Sequence, residues 1–96
     1  MQELDDDVLE FEWDASNEEH CARHGVTPLI VEEVKDIAAK FFPNTEGKTG
    51  THQMIGPDEL GRSWTVIILP AGPPGRWRAI SGWPSTKREI RRYNTG

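Results

Sequence analysis

The sequence predicts a domain of the α+β class, in which an antiparallel sheet packs against helices. Two observations lead to this class. Apolar residues alternate or cluster in short runs separated by glycine and proline, which is typical of strands and turns. Other segments carry helix-capping residues followed by apolar residues at helical spacing. With 96 residues, of which 35% are hydrophobic, the chain can build one modest core, and the predicted element order is β-α-α-β-β-β-α.

The first predicted elements are a strand and a short helix. Residues 8–13 alternate, with every second side chain from Leu9 apolar, which predicts a strand with one buried face. Residues 14–17 offer several N-cap side chains, so a helix is expected to begin there. Gly25 is expected to close this helix, because glycine adopts the left-handed conformation without steric cost.

A second helix is predicted to begin at Thr27-Pro28, because proline suits the first helical position. The apolar residues that follow at helical spacing are Ile30, Val34, Ile37, Ala38 and Phe41. Pro43 is expected to stop this helix, since proline lacks the backbone N–H that a helix needs. The composition of residues 44–50 predicts a loop.

Three strands of a meander are predicted in the second half of the chain. Residues 51–55 form a short strand, and residues 63–69 form a stronger one, since they are nearly continuous in β-branched and aromatic residues. Residues 77–81 return as the third strand. Turns rich in glycine and proline, over residues 56–61 and 71–75, connect the three.

The last predicted element is a short amphipathic helix. Thr86 and Glu89 match the capping box, in which each side chain satisfies a backbone donor of the other residue. Ile90 and Tyr93 share one face and are expected to dock the helix on the sheet. The cations expected to face solvent are Lys87, Arg88, Arg91 and Arg92.

Charge is unevenly distributed along the chain. The formal net charge is −5, yet residues 1–20 hold nine acidic residues and no Lys or Arg. From residue 62 onward there are seven Lys and Arg residues and one acidic residue, Glu89. This asymmetry predicts an acidic arm over residues 1–7, then a single domain over residues 8–96 with a basic surface that attracts an anion. The alternative is that the opposite charges pair within the fold.

The sequence lacks the signals of several other classes of protein. A lone cysteine, Cys21, forms no internal disulfide, and no apolar run approaches the roughly 20 residues of a membrane helix. His20 and His24 share a helical face without an identifiable third ligand, so neither a metal site nor a cofactor is predicted. The start of the chain is acidic, unlike a signal peptide, which favours a cytoplasmic protein without membrane contact.

The basic and aromatic residues in the second half of the chain are the candidates for a functional site, because clustered cations attract phosphates. RNA cleavage without a metal needs groups that move protons and cations that stabilise the charged phosphorane. The candidate catalytic residues are Arg62, Arg78, Arg88, His52 and Tyr93, and the candidate RNA-binding residues are Arg76, Lys87, Arg91 and Arg92. The structural alternatives are that Glu89 is a helix cap, Tyr93 a packing residue and His52 merely exposed.

Several short motifs follow one another in an order that is moderately specific as a set. They are Phe11-Glu12-Trp13-Asp14, His24-Gly25-Val26, Ile55-Gly56, Gly61-Arg62, and Arg78-Ala79-Ile80-Ser81 running into Thr86-Lys87-Arg88-Glu89 with Tyr93. This ordered set resembles BrnT toxins, the ribonuclease halves of type II toxin–antitoxin pairs, over about residues 9–94.

The resemblance implies a RelE-like fold, with which the predicted element order agrees. It also implies cleavage of mRNA without a cofactor, growth arrest, and neutralisation by a BrnA-like partner antitoxin that binds promoter DNA. In such a toxin Arg62, Arg78 and Arg88 would hold phosphate, and His52 or Tyr93 would handle protons.

Three functions remain open at this point. The first is an RNA-cleaving toxin of the BrnT type. The second is a binding module of the same fold that engages an antitoxin or nucleic acid without cleaving it. Two departures from the family pattern favour this second function, because Thr51 and Trp83-Pro84 stand about where the family has basic residues. The third is a small structural interaction domain with an acidic tail.

Overall fold

A five-stranded mixed sheet and three helices make up the fold in the computed structural model, which describes residues 10–45 and 50–96. In chain order the elements are β1 (Glu10–Glu12), α1 (Ala15–Ala22), α2 (Pro28–Ile37), β2 (Lys40–Pro43), β3 (His52–Pro57), β4 (Ser63–Pro70), β5 (Arg76–Pro84) and α3 (Lys87–Thr95). The strand order across the sheet is β1-β5-β4-β3-β2. The predicted α+β class is confirmed. The predicted acidic arm, the first two residues of the predicted first strand and residues 46–49 of the predicted loop lie outside the described residues.

One strand, β2, was predicted as the end of the second helix. α2 ends at Ile37, and the backbone of Ala38 leaves the helical region with a φ of −155°. Phe41 therefore lies on a strand that pairs antiparallel with β3, and it packs against the core from there. The helical prediction for Phe41 is wrong because an apolar residue four positions after Ile37 fits a helix and a short strand equally well.

The prediction of a purely antiparallel sheet is also wrong, because β1 pairs parallel with β5. A parallel pair requires a long connection, and the whole chain between Glu12 and Arg76 supplies it. Three strands run beyond their predicted ends, since β3 continues to Pro57, β4 to Pro70 and β5 to Pro84. The element order is therefore β-α-α-β-β-β-β-α.

The predicted helix ends are confirmed where capping chemistry defined them. The Asp14 side chain caps α1, the Thr27 side chain caps α2, and Thr86 forms a capping box with Glu89 at the start of α3. Gly25, which follows α1, has a φ of +86°. That left-handed conformation strains any residue with a Cβ, so glycine is required at this turn.

The two faces of the sheet are covered by different helices. On the inner face, alternate strand residues join α1 and α2 in the hydrophobic core, whose fully buried members include Met54, Val66, Ile68 and Ala79 from the sheet and Cys21, Val31 and Val34 from the helices. Intervening residues such as Gln53 and Thr65 point to the outer face, where they contact α3. The outer face therefore carries the polar contacts on which the candidate site depends.

Asn17 joins α1 to the edge of the sheet. This side chain is only 3% exposed, and its Nδ2 donates to the carbonyls of Glu12 at 2.8 Å and Ala79 at 3.0 Å. Its Oδ1 accepts a hydrogen bond from the backbone N–H of Asp14 at 2.7 Å. Because β1 ends at Glu12, this amide provides the donor that a neighbouring strand would otherwise offer to β5 at Ala79.

We predict that Asn17→Ala lowers the free energy of unfolding by about 2–4 kcal/mol, because it leaves two carbonyl acceptors and one N–H donor without their partner. Denaturant titration followed by circular dichroism measures this loss. Ser16→Ala, at the exposed neighbouring position, is the matched control and is expected to shift the midpoint much less. Equal midpoints for the two variants would contradict the assigned role of Asn17.

Candidate nucleic-acid interface

The start of α3 is joined to the outer face by one carboxylate, that of Glu89. Its oxygens accept hydrogen bonds from Trp83 Nε1 at 3.0 and 3.1 Å and from Thr65 Oγ1 at 3.0 Å. One of them also accepts the backbone N–H of Thr86 at 2.8 Å, which completes the capping box. Since α3 contains no buried residue, this side chain both caps the helix and docks it.

The middle of α3 is joined to the sheet by Arg92. Its guanidinium donates to Gln53 Oε1 at 2.9 Å and to the Pro43 carbonyl at 3.2 Å, and it lies 4.7 Å from the centroid of the Phe42 ring. These partners carry no formal charge. The prediction that Arg92 faces solvent is therefore wrong, because polar acceptors on β2 and β3 hold its guanidinium against the sheet. None of these acceptors neutralises its positive charge.

The prediction that Ile90 docks α3 is wrong, because its side chain remains 39% exposed while Glu89 and Arg92 make the contacts with the sheet. Tyr93 does dock the helix, through its polar end. Its hydroxyl donates to the Ala38 carbonyl at 2.6 Å, and Lys40 Nζ lies 4.7 Å from the ring centroid. The polar character of Gln53 and Thr65 on the outer face explains why charged side chains replace apolar ones at this contact.

An open groove of about 560 Å³ runs beside α3 on the outer face. The side chains that line it include Arg88, Arg91, Arg92, Gln53, Thr86 and Thr95. Arg88 and Arg91 are exposed, and Lys87 is exposed on the same helix. α3 thus brings together four of the predicted cations with a single carboxylate, Glu89. The Thr86 hydroxyl and the Gln53 amide also line the groove, and groups of these kinds contact phosphate oxygens in nucleic-acid complexes.

Arg62 lies away from this groove, in the turn between β3 and β4. Its Nε is 3.2 Å from Asp58 Oδ2, and this carboxylate also accepts the Trp64 indole N–H at 2.9 Å. The backbone N–H groups of Arg62 and Leu60 each donate to Asp58 Oδ1 at 2.9 Å. The Trp64 hydrogen bond, followed by the backbone donors and Arg62, lowers the pKa of Asp58 below its ordinary value. Arg62 is therefore part of an ion pair that fixes the turn.

Arg76 and Arg78 are paired with acidic residues of the N-terminal part. The Arg76 guanidinium lies 3.4 Å from both Glu10 and Glu12, which are its neighbours across the parallel β1–β5 ladder. Arg78 Nη1 lies 2.9 Å from Asp14 Oδ2, and this hydrogen bond is the main cause that lowers the pKa of Asp14. The sequence left open whether opposite charges pair within the fold. For Arg76 and Arg78 they do, because both guanidinium groups are paired with carboxylates.

His52 lies on the inner face of the sheet, at the end of β3 that is farther from Arg62. Its ring meets the Trp77 ring edge-on, with centroids 5.3 Å apart and planes at 84°. Its Nδ1 lies 2.9 Å from Thr51 Oγ1. Partial burial lowers the pKa of His52 below its ordinary value of 6.5, so the ring is neutral at pH 7. The sheet separates His52 from α3.

The predicted site residues thus fall into two groups. The residues that share α3 are Lys87, Arg88, Arg91, Arg92 and Tyr93, although the Tyr93 hydroxyl is bonded to the Ala38 carbonyl. The residues that lie elsewhere are Arg62, Arg76, Arg78 and His52, and three of these are arginines in ion pairs. The five candidate catalytic residues are therefore not gathered at one place.

Two residues of the interface, Gln53 and Trp83, were not identified from the sequence as contributors. The Trp83 indole N–H donates to the Glu89 carboxylate and so holds the start of α3. Gln53 follows His52 on β3 and so points to the outer face. Gln53 would have been identified from the alternation of side chains along β3 if the register of this strand had been known.

Other kinds of site find no support in the part of the chain that the structure describes. It contains no group of three His, Cys, Asp or Glu side chains that would hold a metal ion. No helix within residues 10–45 and 50–96 is both long and apolar enough to cross a bilayer. Burial raises the pKa of the Cys21 thiol to about 11, which leaves it protonated and unreactive.

No protein-family model matches the chain, and no curated protein matches it at a significant level. The geometry of the groove beside α3 therefore carries the functional argument.

We predict that the protein loses stability as the pH falls through 6.5, in part because of His52. The folded chain holds this imidazole neutral, whereas the unfolded chain takes up a proton near its ordinary pKa of 6.5, so protonation favours unfolding. Denaturant titrations between pH 5 and pH 8 on the wild type and on His52→Gln isolate this contribution.

The difference in unfolding free energy between the wild type and His52→Gln is expected to be constant above the ordinary pKa and to shrink below it. If the unfolding free energies of the wild type and His52→Gln differ by the same amount at every pH, His52 has the same pKa in the folded and unfolded states. That result would contradict the prediction.

Proposed function

We propose that this protein is an RNA-binding domain of the BrnT toxin type, with a RelE-like fold, which grips the ribose–phosphate backbone with the arginines of α3. The observation that carries the proposal is the groove in which Arg88, Arg91 and Arg92 lie on one side of a single helix. Arginine presents several N–H donors in a planar fork, which suits phosphate oxygens. The partner implied by the BrnT resemblance is a DNA-binding antitoxin, and the compartment is the bacterial cytoplasm.

The distribution of ion pairs supports α3 as the contact surface. Arg62, Arg76 and Arg78 each lie within 3.4 Å of a carboxylate, so a phosphate would have to compete with an internal partner for them. Arg92 is instead held by an amide oxygen and a carbonyl. A phosphate contact at Arg92 would therefore add charge neutralisation that these uncharged acceptors do not supply.

The positions of two motifs also support the proposal. Of the motifs that resemble the BrnT family, residues 11–14 connect β1 to α1 and residues 86–89 begin α3, while residues 78–81 lie within β5. The first two are places at which a short motif fixes the direction of the chain.

A second candidate function is RNA cleavage by the same groove, which the presence of the Glu89 carboxylate beside Arg88 favours. In this reaction a base removes the proton of a 2′-hydroxyl, the 2′-oxygen attacks the adjacent phosphorus, and the 5′-oxygen leaves with a proton from an acid. Arg88 and Arg91 would stabilise the charged phosphorane. The Glu89 oxygens already accept hydrogen bonds from Trp83, Thr65 and Thr86, so binding is the first candidate.

We predict that Arg88→Ala/Arg91→Ala weakens binding to an unstructured single-stranded RNA, because both guanidinium groups line the groove. Loss of two phosphate contacts on a single strand should lower the slope of log affinity against log salt by about 1.4. Fluorescence anisotropy of a labelled oligonucleotide at several salt concentrations gives both the affinity and the slope.

The matched control is Arg23→Ala/Lys35→Ala, which removes the same charge from the side of the molecule that carries α1 and α2. An equal loss of affinity in this control would attribute RNA binding to general attraction and contradict the α3 surface. The same RNA is also analysed on denaturing gels. Cleavage would be established by products that form from the unmodified RNA and do not form when the ribose carries 2′-O-methyl groups. RNA that stays intact would show binding without cleavage.

A further inference from the structure

A second cavity, of about 460 Å³, opens between α1 and β5. Six of the side chains that line it are Ser16, His20, Leu69, Arg78, Ile80 and Ser81. Its volume lies within the range of sites that hold small organic groups. No element of the candidate interface at α3 accounts for this cavity.

A β-bulge shapes the wall of the second cavity. The register of β5 against β4 shifts between Ile67 and Ile68, so that Ile67 pairs with Ser81 while Ile68 pairs with Ala79. Ile80 is the extra residue of this bulge, and both Ile80 and Ser81 line the cavity. Bulges re-aim side chains in this way beside binding sites.

The chemistry of the lining suits a flat group with apolar faces and a polar edge. Leu69 and Ile80 supply apolar surface, and Ser16, Ser81 and His20 supply groups that donate or accept hydrogen bonds. A nucleobase has this combination of properties. Its faces pack on apolar or aromatic side chains, and its edge requires a few hydrogen-bonding partners.

The charge of this cavity argues against a phosphate as the occupant. Arg78 is the cation in its lining, and its guanidinium is bonded to the Asp14 carboxylate at 2.9 Å. The pair is close to neutral overall. The groove at α3, where Arg92 is held by uncharged acceptors, is by contrast suited to the anionic backbone.

The second cavity lies where β5 extends beyond β1, between α1 and strand residues that include Ser81. Ser81 and Trp83 are two residues apart on β5, a distance of roughly 7 Å along a strand, and both point to the outer face. Trp83 donates to Glu89, which lines the groove. A chain whose phosphates contact α3 therefore passes within reach of the cavity.

We propose that the cavity between α1 and β5 is a subsite for one nucleobase of the RNA strand that α3 holds by its phosphates. The inference rests on the proposed function, since it assigns the base-binding part of the same RNA contact.

The test compares two single-stranded RNAs that carry the same charge, one with all bases and one with consecutive abasic nucleotides. Wild-type protein is expected to bind the RNA with bases about tenfold more tightly, because one base is buried against Leu69 and Ile80 in the cavity. Ser16→Phe fills the cavity from an exposed position on α1 and should abolish this preference while leaving the affinity for abasic RNA unchanged. His20→Ala/Ser81→Ala, which removes polar partners without adding bulk, should reduce the preference.

The outcomes separate this inference from the proposed function. Equal affinities of the wild type for the two RNAs, or an unchanged preference in both cavity variants, would overturn the base subsite. Loss of affinity for both RNAs in parallel is the result expected for Arg88→Ala/Arg91→Ala. If neither RNA binds the wild type, or if the Arg88 and Arg91 substitutions are without effect, the proposed function fails. Circular dichroism verifies that each variant is folded.

Discussion

The carboxylate of Glu89 is the interaction on which the arrangement of the candidate site depends. It accepts hydrogen bonds from Thr65 on β4, from Trp83 on β5 and from the backbone N–H of Thr86 at the start of its own helix. No residue of α3 is fully buried, and hydrogen bonds of Glu89, Arg92 and Tyr93 join the helix to the sheet and the end of α2. The direction in which Arg88 and Arg91 point is therefore set by a charged hydrogen-bond network, which is stronger than a neutral one.

The protein has a net negative charge and yet a basic groove, because the fold places acidic residues of the N-terminal part next to arginines of β5 and leaves the cations of α3 along the groove. Parallel pairing of β1 with β5 brings Glu10 and Glu12 to Arg76, and the start of α1 brings Asp14 to Arg78. α3 retains an excess of cations. Attraction of an anion depends on the local potential of one surface, so a net charge of −5 does not exclude the proposed RNA contact.

Local chemistry made part of this structure predictable from the sequence. The capping residues Asp14 and Thr86 place helix ends correctly, because a cap acts over three or four residues. The β2 strand was missed because the spacing of Phe41 fits two periods. Ion pairing of Arg62 and Arg78, and the role of Trp83, depend on sheet register and helix docking, which join residues far apart in the chain. The separation of His52 from α3 likewise follows from strand alternation in a sheet whose register the sequence does not display.

Hydrogen exchange of the α3 backbone amides tests the central role of Glu89 most directly. Trp83→Phe removes the indole donor while leaving the Thr86–Glu89 capping box intact, and Ile90→Ala is the control on the exposed side of the same helix. Loss of a hydrogen bond to a charged group should open α3 and speed its exchange by about tenfold or more in Trp83→Phe, with little change in Ile90→Ala. Unchanged exchange in Trp83→Phe, with α3 as protected as in the wild type, would contradict the account.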